Sequence, residues 1–159
     1  MDSMVNIFLK RAENELITAE KLRQLSEDKR AKEFMKVPEA MTFFSSVISH
    51  SYYVIFYAAK AILLTKGIET SSPEVHKKTF EEFKRNFVDT GILDMKLLEI
   101  YRKMVVRADE LLEIFKDEKW KRGNYTYNTI PQANKEPADD SLKNAIFFVS
   151  NIEKVIQRL

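Results

Sequence analysis

A short basic and aromatic segment, KWKRGNYTYNT at residues 119–129, carries the side chains best suited to binding a nucleotide or RNA. Three of its side chains are cationic and can hold phosphate oxygens by charge-assisted hydrogen bonds: Lys119, Lys121 and Arg122. Three more are aromatic and can stack on a base: Trp120, Tyr125 and Tyr127. A structural interpretation competes with this one, because cations also stabilise the C-terminal end of a helix.

Histidine is the side chain best suited to proton transfer near neutral pH, and the chain has two, His50 and His76. His50 falls within a strongly apolar stretch, where a buried ring with a satisfied hydrogen bond is the simpler interpretation. His76 falls in the first turn of a later predicted helix, where a capping or surface role is natural. His76 is therefore a weak catalytic candidate, as are Arg122, Tyr125 and Tyr127.

The composition narrows the classes of site that the chain can hold. It has no cysteine, so thiolate metal sites and disulfides are excluded, and two histidines offer little for a zinc site. No glycine-rich phosphate loop or nucleophile elbow occurs, and we predict neither a metal nor a cofactor. With 45% hydrophobic and 31% charged residues, we expect a soluble protein, and the absence of cysteine fits the reducing cytoplasm.

The elements that must position these residues are helices, because 3 glycines and 4 prolines leave few places for turns. Apolar residues recur at helical spacing over about 6–26, 39–66, 94–119 and 138–158. A further helix is predicted to begin with Ser72 as its cap and Pro73 in its first turn. The helical period fails over 120–136, and such long loops are often functional. We therefore predict an all-α, up-and-down bundle of four to five helices that forms a single domain over residues 1–159.

The second predicted helix is the most apolar, and we expect it at the centre of the bundle. Pro38 is predicted to open it and Gly67 to end it. Aromatic residues such as Tyr52, Tyr53 and Phe56 would then be core residues. Its longest apolar run, 54–64, contains Lys60 and is shorter than a bilayer span. We therefore expect no membrane-spanning segment.

The sequence SHSYYVIFYAAKAILLTKGIE, followed by His76 and Phe80, resembles the second and third helices of prokaryotic HEPN (higher eukaryotes and prokaryotes nucleotide-binding) proteins. The matching positions are Tyr52, Tyr53, Phe56, Ala58, Ala59, Lys60, Gly67 and His76. The segments RAENELITAEKL and SLKNAIFFVSNIEKVI are similar to the first and last helices of that family. The resemblance covers nearly the whole chain.

This resemblance implies a helical bundle that is usually a homodimer. Many relatives are encoded beside a minimal nucleotidyltransferase and act with it as a toxin–antitoxin pair. Active members cut RNA with an arginine that is followed four to six residues later by a histidine, often with a tyrosine two residues beyond.

The present chain departs from that ribonuclease pattern. Neither histidine follows an arginine at the required distance. In the equivalent region Tyr125 stands where the histidine is wanted, Tyr127 matches the tyrosine beyond it, and Trp120 stands in place of the arginine. A phenol, with an ordinary pKa of about 10, is a poor general base at neutral pH. Self-sufficient RNA cleavage is therefore disfavoured.

Three functional hypotheses follow. The first is a dimeric binding module for a nucleotide, RNA or a nucleotidyltransferase partner; by the resemblance, that partner would attach adenylate to Tyr127, or else to Tyr125. The second is a divergent, metal-independent ribonuclease that uses Arg122 with Tyr125 or Tyr127, or with His76. The third is a structural helical bundle without a ligand.

Overall fold

The computed structural model describes residues 2–116 and 134–159 of the chain. Within these ranges the chain forms six α-helices and no strand: α1 (Ser3–Glu27), α2 (Lys29–Met35), α3 (Phe44–Leu64), α4 (Val75–Phe83), α5 (Met95–Lys116) and α6 (Lys135–Ile156). The long helices α1, α3, α5 and α6 form the body of a bundle. The all-α prediction is confirmed.

Helix α3 lies at the centre of the bundle, where it packs against α1, α4, α5 and α6. The whole of α3, with 21 residues, is long and apolar enough to cross a membrane, although the run 54–64 on which the prediction of no membrane span was based is only part of it. However, 67% of its most apolar window is buried inside the molecule, which is typical of the core helix of a soluble protein. Its apolar character is therefore explained by packing.

The corner between α1 and α3 differs from the prediction. We expected Pro38 to open the second helix, but a separate short helix, α2, precedes it, and α3 begins only at Phe44. The buried ammonium group of Lys32 donates hydrogen bonds to the backbone carbonyls of Glu39 and Met41. These bonds hold the connection in a non-helical turn, because its carbonyl oxygens point at a side chain rather than along a helix axis.

Helix α4 begins later than predicted and ends in an unusual turn. Ser72 and Pro73 precede the helix, and the N-cap is Glu74 in the left-handed conformation, with φ of 57°. After Phe83 the helix widens into a π-helical turn over Lys84–Val88. Phe83 and Phe87 are both fully buried and stack with their ring centroids 6.5 Å apart.

Helices α5 and α6 are joined by a polar network around Arg107, whose side chain is only 13% exposed. Its guanidinium donates to the carbonyl of Pro137 (3.2 Å), to Asp140 (3.1 Å) and to the hydroxyl of Ser141 (2.8 Å). Asp140 also pairs with Lys103 at 2.6 Å. The carboxylate of Asp140 therefore has a structural role between the two helices.

Candidate functional site

Most of the predicted site residues lie outside the described ranges. These are Lys119, Trp120, Lys121, Arg122, Tyr125 and Tyr127, the last of which is also the predicted modification site. Of the predicted site residues, the structure describes His76 alone. His76 lies in a cleft, together with residues that the sequence did not single out as a site.

The cleft has a volume of about 590 Å³ and lies between α3, α4 and α5. Each helix contributes residues at helical spacing, so that they share one face: 49, 52 and 53 from α3, 76, 77 and 80 from α4, and 105, 108, 109 and 112 from α5. Most of the lining from α5 is apolar, with Asp109 as its charged exception. The volume falls in the range of about 300–1,000 Å³ that is typical of small-molecule sites.

A hydrogen bond of 2.7 Å joins the Tyr52 hydroxyl to Nδ1 of His76 within the cleft. Burial raises the pKa of the Tyr52 phenol well above its usual range, so this hydroxyl keeps its proton. Partial burial and the positive charge of Lys60 lower the pKa of His76, and the charge of Asp109 opposes this. A buried phenol needs an acceptor, which favours donation from Tyr52 to a neutral imidazole. The remaining proton of His76 then lies on Nε2.

Aromatic rings form one wall of the cleft. The ring of His76 stacks on Phe56 with centroids 4.3 Å apart and meets Tyr53 edge-on at 5.9 Å. The prediction of core aromatics holds for Tyr52 and Phe56, which are buried, but was wrong for Tyr53, which is 37% exposed. Tyr53 therefore offers an accessible aromatic ring to a planar ligand.

Charged groups of both signs line the same cleft. The exposed carboxylate of Asp109 lines the cleft, and its negative charge raises the pKa values of both Tyr52 and His76. Lys77 supplies an ammonium group. The cleft therefore combines an aromatic ring, a neutral N–H donor, a carboxylate acceptor and a cation, which together can hold a base and a phosphate.

Sequence reasoning missed Asp109, although a signal was present. It follows Val105 by four residues, and Leu112 follows it by three, so it interrupts an apolar helical stripe. A carboxylate in such a stripe must reach solvent or a polar ligand. Leu112, in the same apolar stripe, is 52% exposed beside the cleft.

Other candidate positions have structural roles. His50 bonds through Nδ1 to the carboxylate of Glu15, as predicted for a satisfied histidine, but its side chain is half-buried rather than buried. In the ranges 2–116 and 134–159, no group of three or more histidine, cysteine, aspartate or glutamate residues is placed to hold a metal ion.

The chain is similar in sequence to a known protein family and to several of its members. The family model described as "HEPN domain" matches residues 28–155. A UPF0332 protein of Thermotoga maritima is 30% identical over 114 residues, which cover 72% of this chain and 74% of the relative. A Methanocaldococcus jannaschii protein, named as a candidate toxin, is 28% identical over 116 residues, which cover 73% of each chain. No solved structure matches significantly.

Proposed function

The chain belongs to the HEPN domain family, and we propose that it is a toxin-like HEPN module that binds a nucleotide or a single-stranded RNA segment in the cleft between α3, α4 and α5. One observation carries the proposal: the exposed ring of Tyr53 lies beside the His76–Tyr52 hydrogen bond and the Asp109 carboxylate. Relatives named as candidate toxins support the toxin-like role.

The cleft suggests a mode of binding. A base stacks on Tyr53, and its N–H groups donate to the carboxylate of Asp109. The N–H of neutral His76 and the ammonium of Lys77 donate to acceptors on the sugar or phosphate. Stacking tolerates any base, so the ring supplies affinity, whereas the carboxylate discriminates between base edges.

The hydrogen bond between Tyr52 and His76 favours a binding function over RNA cleavage. A histidine that serves as general base needs an unprotonated nitrogen facing the ribose hydroxyl. The hydrogen bond from Tyr52 occupies Nδ1 of His76 and leaves the proton on Nε2, so neither nitrogen is free. The alternative, a divergent ribonuclease that uses Arg122 with Tyr125 or Tyr127, gains no support from the residues within 2–116 and 134–159.

The proposal includes partners. We expect a cytoplasmic homodimer that pairs with a minimal nucleotidyltransferase in the manner of a toxin–antitoxin system. Helix α5 carries Asp109 and Leu112 of the cleft, and the basic and aromatic segment 119–129 follows this helix closely in the sequence. This proximity in the sequence supports the proposal of one binding surface, with Tyr127 as the acceptor of adenylate.

Calorimetric titration with short single-stranded RNA and with mononucleotides tests the binding site. Tyr53→Ala should weaken binding by roughly 1–3 kcal/mol, because one stacking interaction is lost. Phe147→Ala is a matched control, since Phe147 on α6 is 39% exposed, close to the 37% of Tyr53, and does not line the cleft. Equal affinities for the two variants, or no binding by the unaltered protein, would refute the proposed site.

Mass spectrometry tests the partner. The protein would be incubated with ATP and a minimal nucleotidyltransferase encoded beside it, and adenylate should appear on Tyr127. Tyr127→Phe should abolish the modification, whereas Tyr125→Phe should leave it in place. Unmodified Tyr127 in the unaltered protein would contradict this part of the proposal.

A further inference from the structure

Two cations from different helices converge on one aromatic ring outside the cleft. The guanidinium carbon of Arg11, on α1, lies 5.5 Å from the centroid of the Phe8 ring, and Nζ of Lys60, on α3, lies 4.9 Å from the same centroid. Arg11 also lies over Tyr57 at 5.7 Å. The aromatic rings hold both cations in place through attraction to the π face.

The two positive charges are close enough to repel each other. Partial burial and the charge of Arg11 both lower the pKa of Lys60, whereas Glu69 raises it. Among the residues that the structure describes, neither Arg11 nor Lys60 is paired with a carboxylate within salt-bridge distance. Such an arrangement has a free-energy cost that a bound anion would remove.

Unused hydrogen-bond donors accompany this positive charge. Lys60 donates one proton to the carbonyl of Thr70 at 3.1 Å, and its ammonium group has two more. Arg11 is exposed and has five N–H donors, and none of them bonds to another described residue. A forked guanidinium beside a compact ammonium matches the several oxygens of a phosphate better than a single carboxylate.

We propose that Arg11 and Lys60 form a phosphate-binding site over Phe8, which, resting on the proposed function, holds the backbone of an RNA strand whose base occupies the cleft. The two sites share Phe56. Nζ of Lys60 lies 5.7 Å from the centroid of that ring, and His76 of the cleft stacks on it at 4.3 Å. A strand that leaves the cleft past His76 therefore meets Lys60 next.

The dependence of RNA affinity on salt concentration tests this site. Each phosphate held by cations contributes a slope of about 0.7 in log Kd against log salt for a single strand. Arg11→Met and Lys60→Met should each lower the slope by up to that amount and weaken RNA binding several-fold. Lys10→Met is the matched control, because it removes one exposed positive charge from the same helix, next to Arg11, and should change both quantities less.

The choice of ligand separates the sources of the phosphate. If the site holds the phosphate of the nucleotide in the cleft, Arg11→Met should weaken binding of a nucleoside monophosphate but leave the nucleoside unaffected. If it holds a neighbouring phosphate of the strand, only oligonucleotide binding should weaken. Either result supports the site, and a Lys10→Met effect equal to those of both site variants would overturn it.

A second measurement, on the unaltered protein, tests the site even if Lys60→Met does not fold. Inorganic phosphate, compared with chloride at equal ionic strength, should shift the NMR signals of Phe8, Arg11 and Lys60 in the unaltered protein. Absence of these shifts would overturn the phosphate site. Failure of Tyr53→Ala to weaken RNA binding would instead count against the proposed cleft and leave this site standing.

Discussion

Replacing Arg107 by methionine should destabilise the protein far more than replacing Lys103 by methionine, although both residues bind Asp140. The side chain of Arg107 is 13% exposed and donates three hydrogen bonds into α6. The side chain of Lys103 is 50% exposed and makes one ion pair, which at 2.6 Å is the shorter of the two. The comparison separates the effect of burial from the effect of distance.

The expected magnitudes follow from solvent screening. A buried hydrogen bond to a charged group contributes about 1.5–3 kcal/mol, and the Pro137 and Ser141 oxygens keep a bond to each other after Arg107 is removed. We therefore expect Arg107→Met to lower the free energy of unfolding by about 2–3 kcal/mol. An exposed ion pair contributes at most about 1 kcal/mol, so Lys103→Met should cost less than that.

Urea unfolding followed by far-ultraviolet circular dichroism measures both values. For a chain of this size, each kcal/mol also lowers Tm by roughly 2–4 °C. Arg107→Met should therefore unfold roughly 4–12 °C lower than the unaltered protein, and Lys103→Met no more than about 4 °C lower. If Lys103→Met proved as costly as Arg107→Met, the argument that burial decides the strength of this network would fail.

Three further predictions address the cleft and the surface. Lys60→Met should raise the pKa of His76, because it removes a positive charge that disfavours the imidazolium form. Asp109→Asn should lower the pKa of His76, because it removes a negative charge that favours that form. NMR titration measures both pKa values, and shifts of the same sign would contradict this account of the charges around His76. Guanosine monophosphate should bind roughly fivefold or more tightly than inosine monophosphate, which lacks the second N–H donor for Asp109, and Asp109→Asn should reduce that ratio. Phe34→Ser, at a position that is 85% exposed, should change the free energy of unfolding by less than about 0.5 kcal/mol. Phe148→Ala, in the core, should lower the free energy of unfolding by about 3–5 kcal/mol, and chemical denaturation measures both values.

The central position of α3 could be predicted from the sequence, because the helix has more apolar residues than one buried face can hold. The helix starts could not. Pro38 and Pro73 each fit the first turn of a helix by local preference, but each lies in a connection. Tertiary bonds decide the outcome at the first of these, where the ammonium group of Lys32 binds carbonyls that a longer α3 would have used.

The cleft was harder to predict, because its residues come from three helices that are far apart in sequence. The chemistry of histidine makes His76 a weak catalytic candidate from the sequence, but the hydrogen bond from Tyr52 that fixes its proton depends on how α3 and α4 cross. Asp109 gave only a local signal, as a carboxylate in an apolar stripe. A single sequence without the packing of α3, α4 and α5 does not bring these residues together.

The π-helical turn at Lys84–Val88 makes the length of that segment matter more than its composition. Such a turn holds one residue more than an α-helical turn, so deleting one exposed residue within it would restore α-helical spacing and leave the following residues on their present faces. Inserting a further residue would instead rotate the following residues by about 100° and move Phe87 out of the core, while His76 and Phe80 would keep their places at the cleft. Substitutions at the exposed Arg85 should therefore be tolerated where an insertion is not.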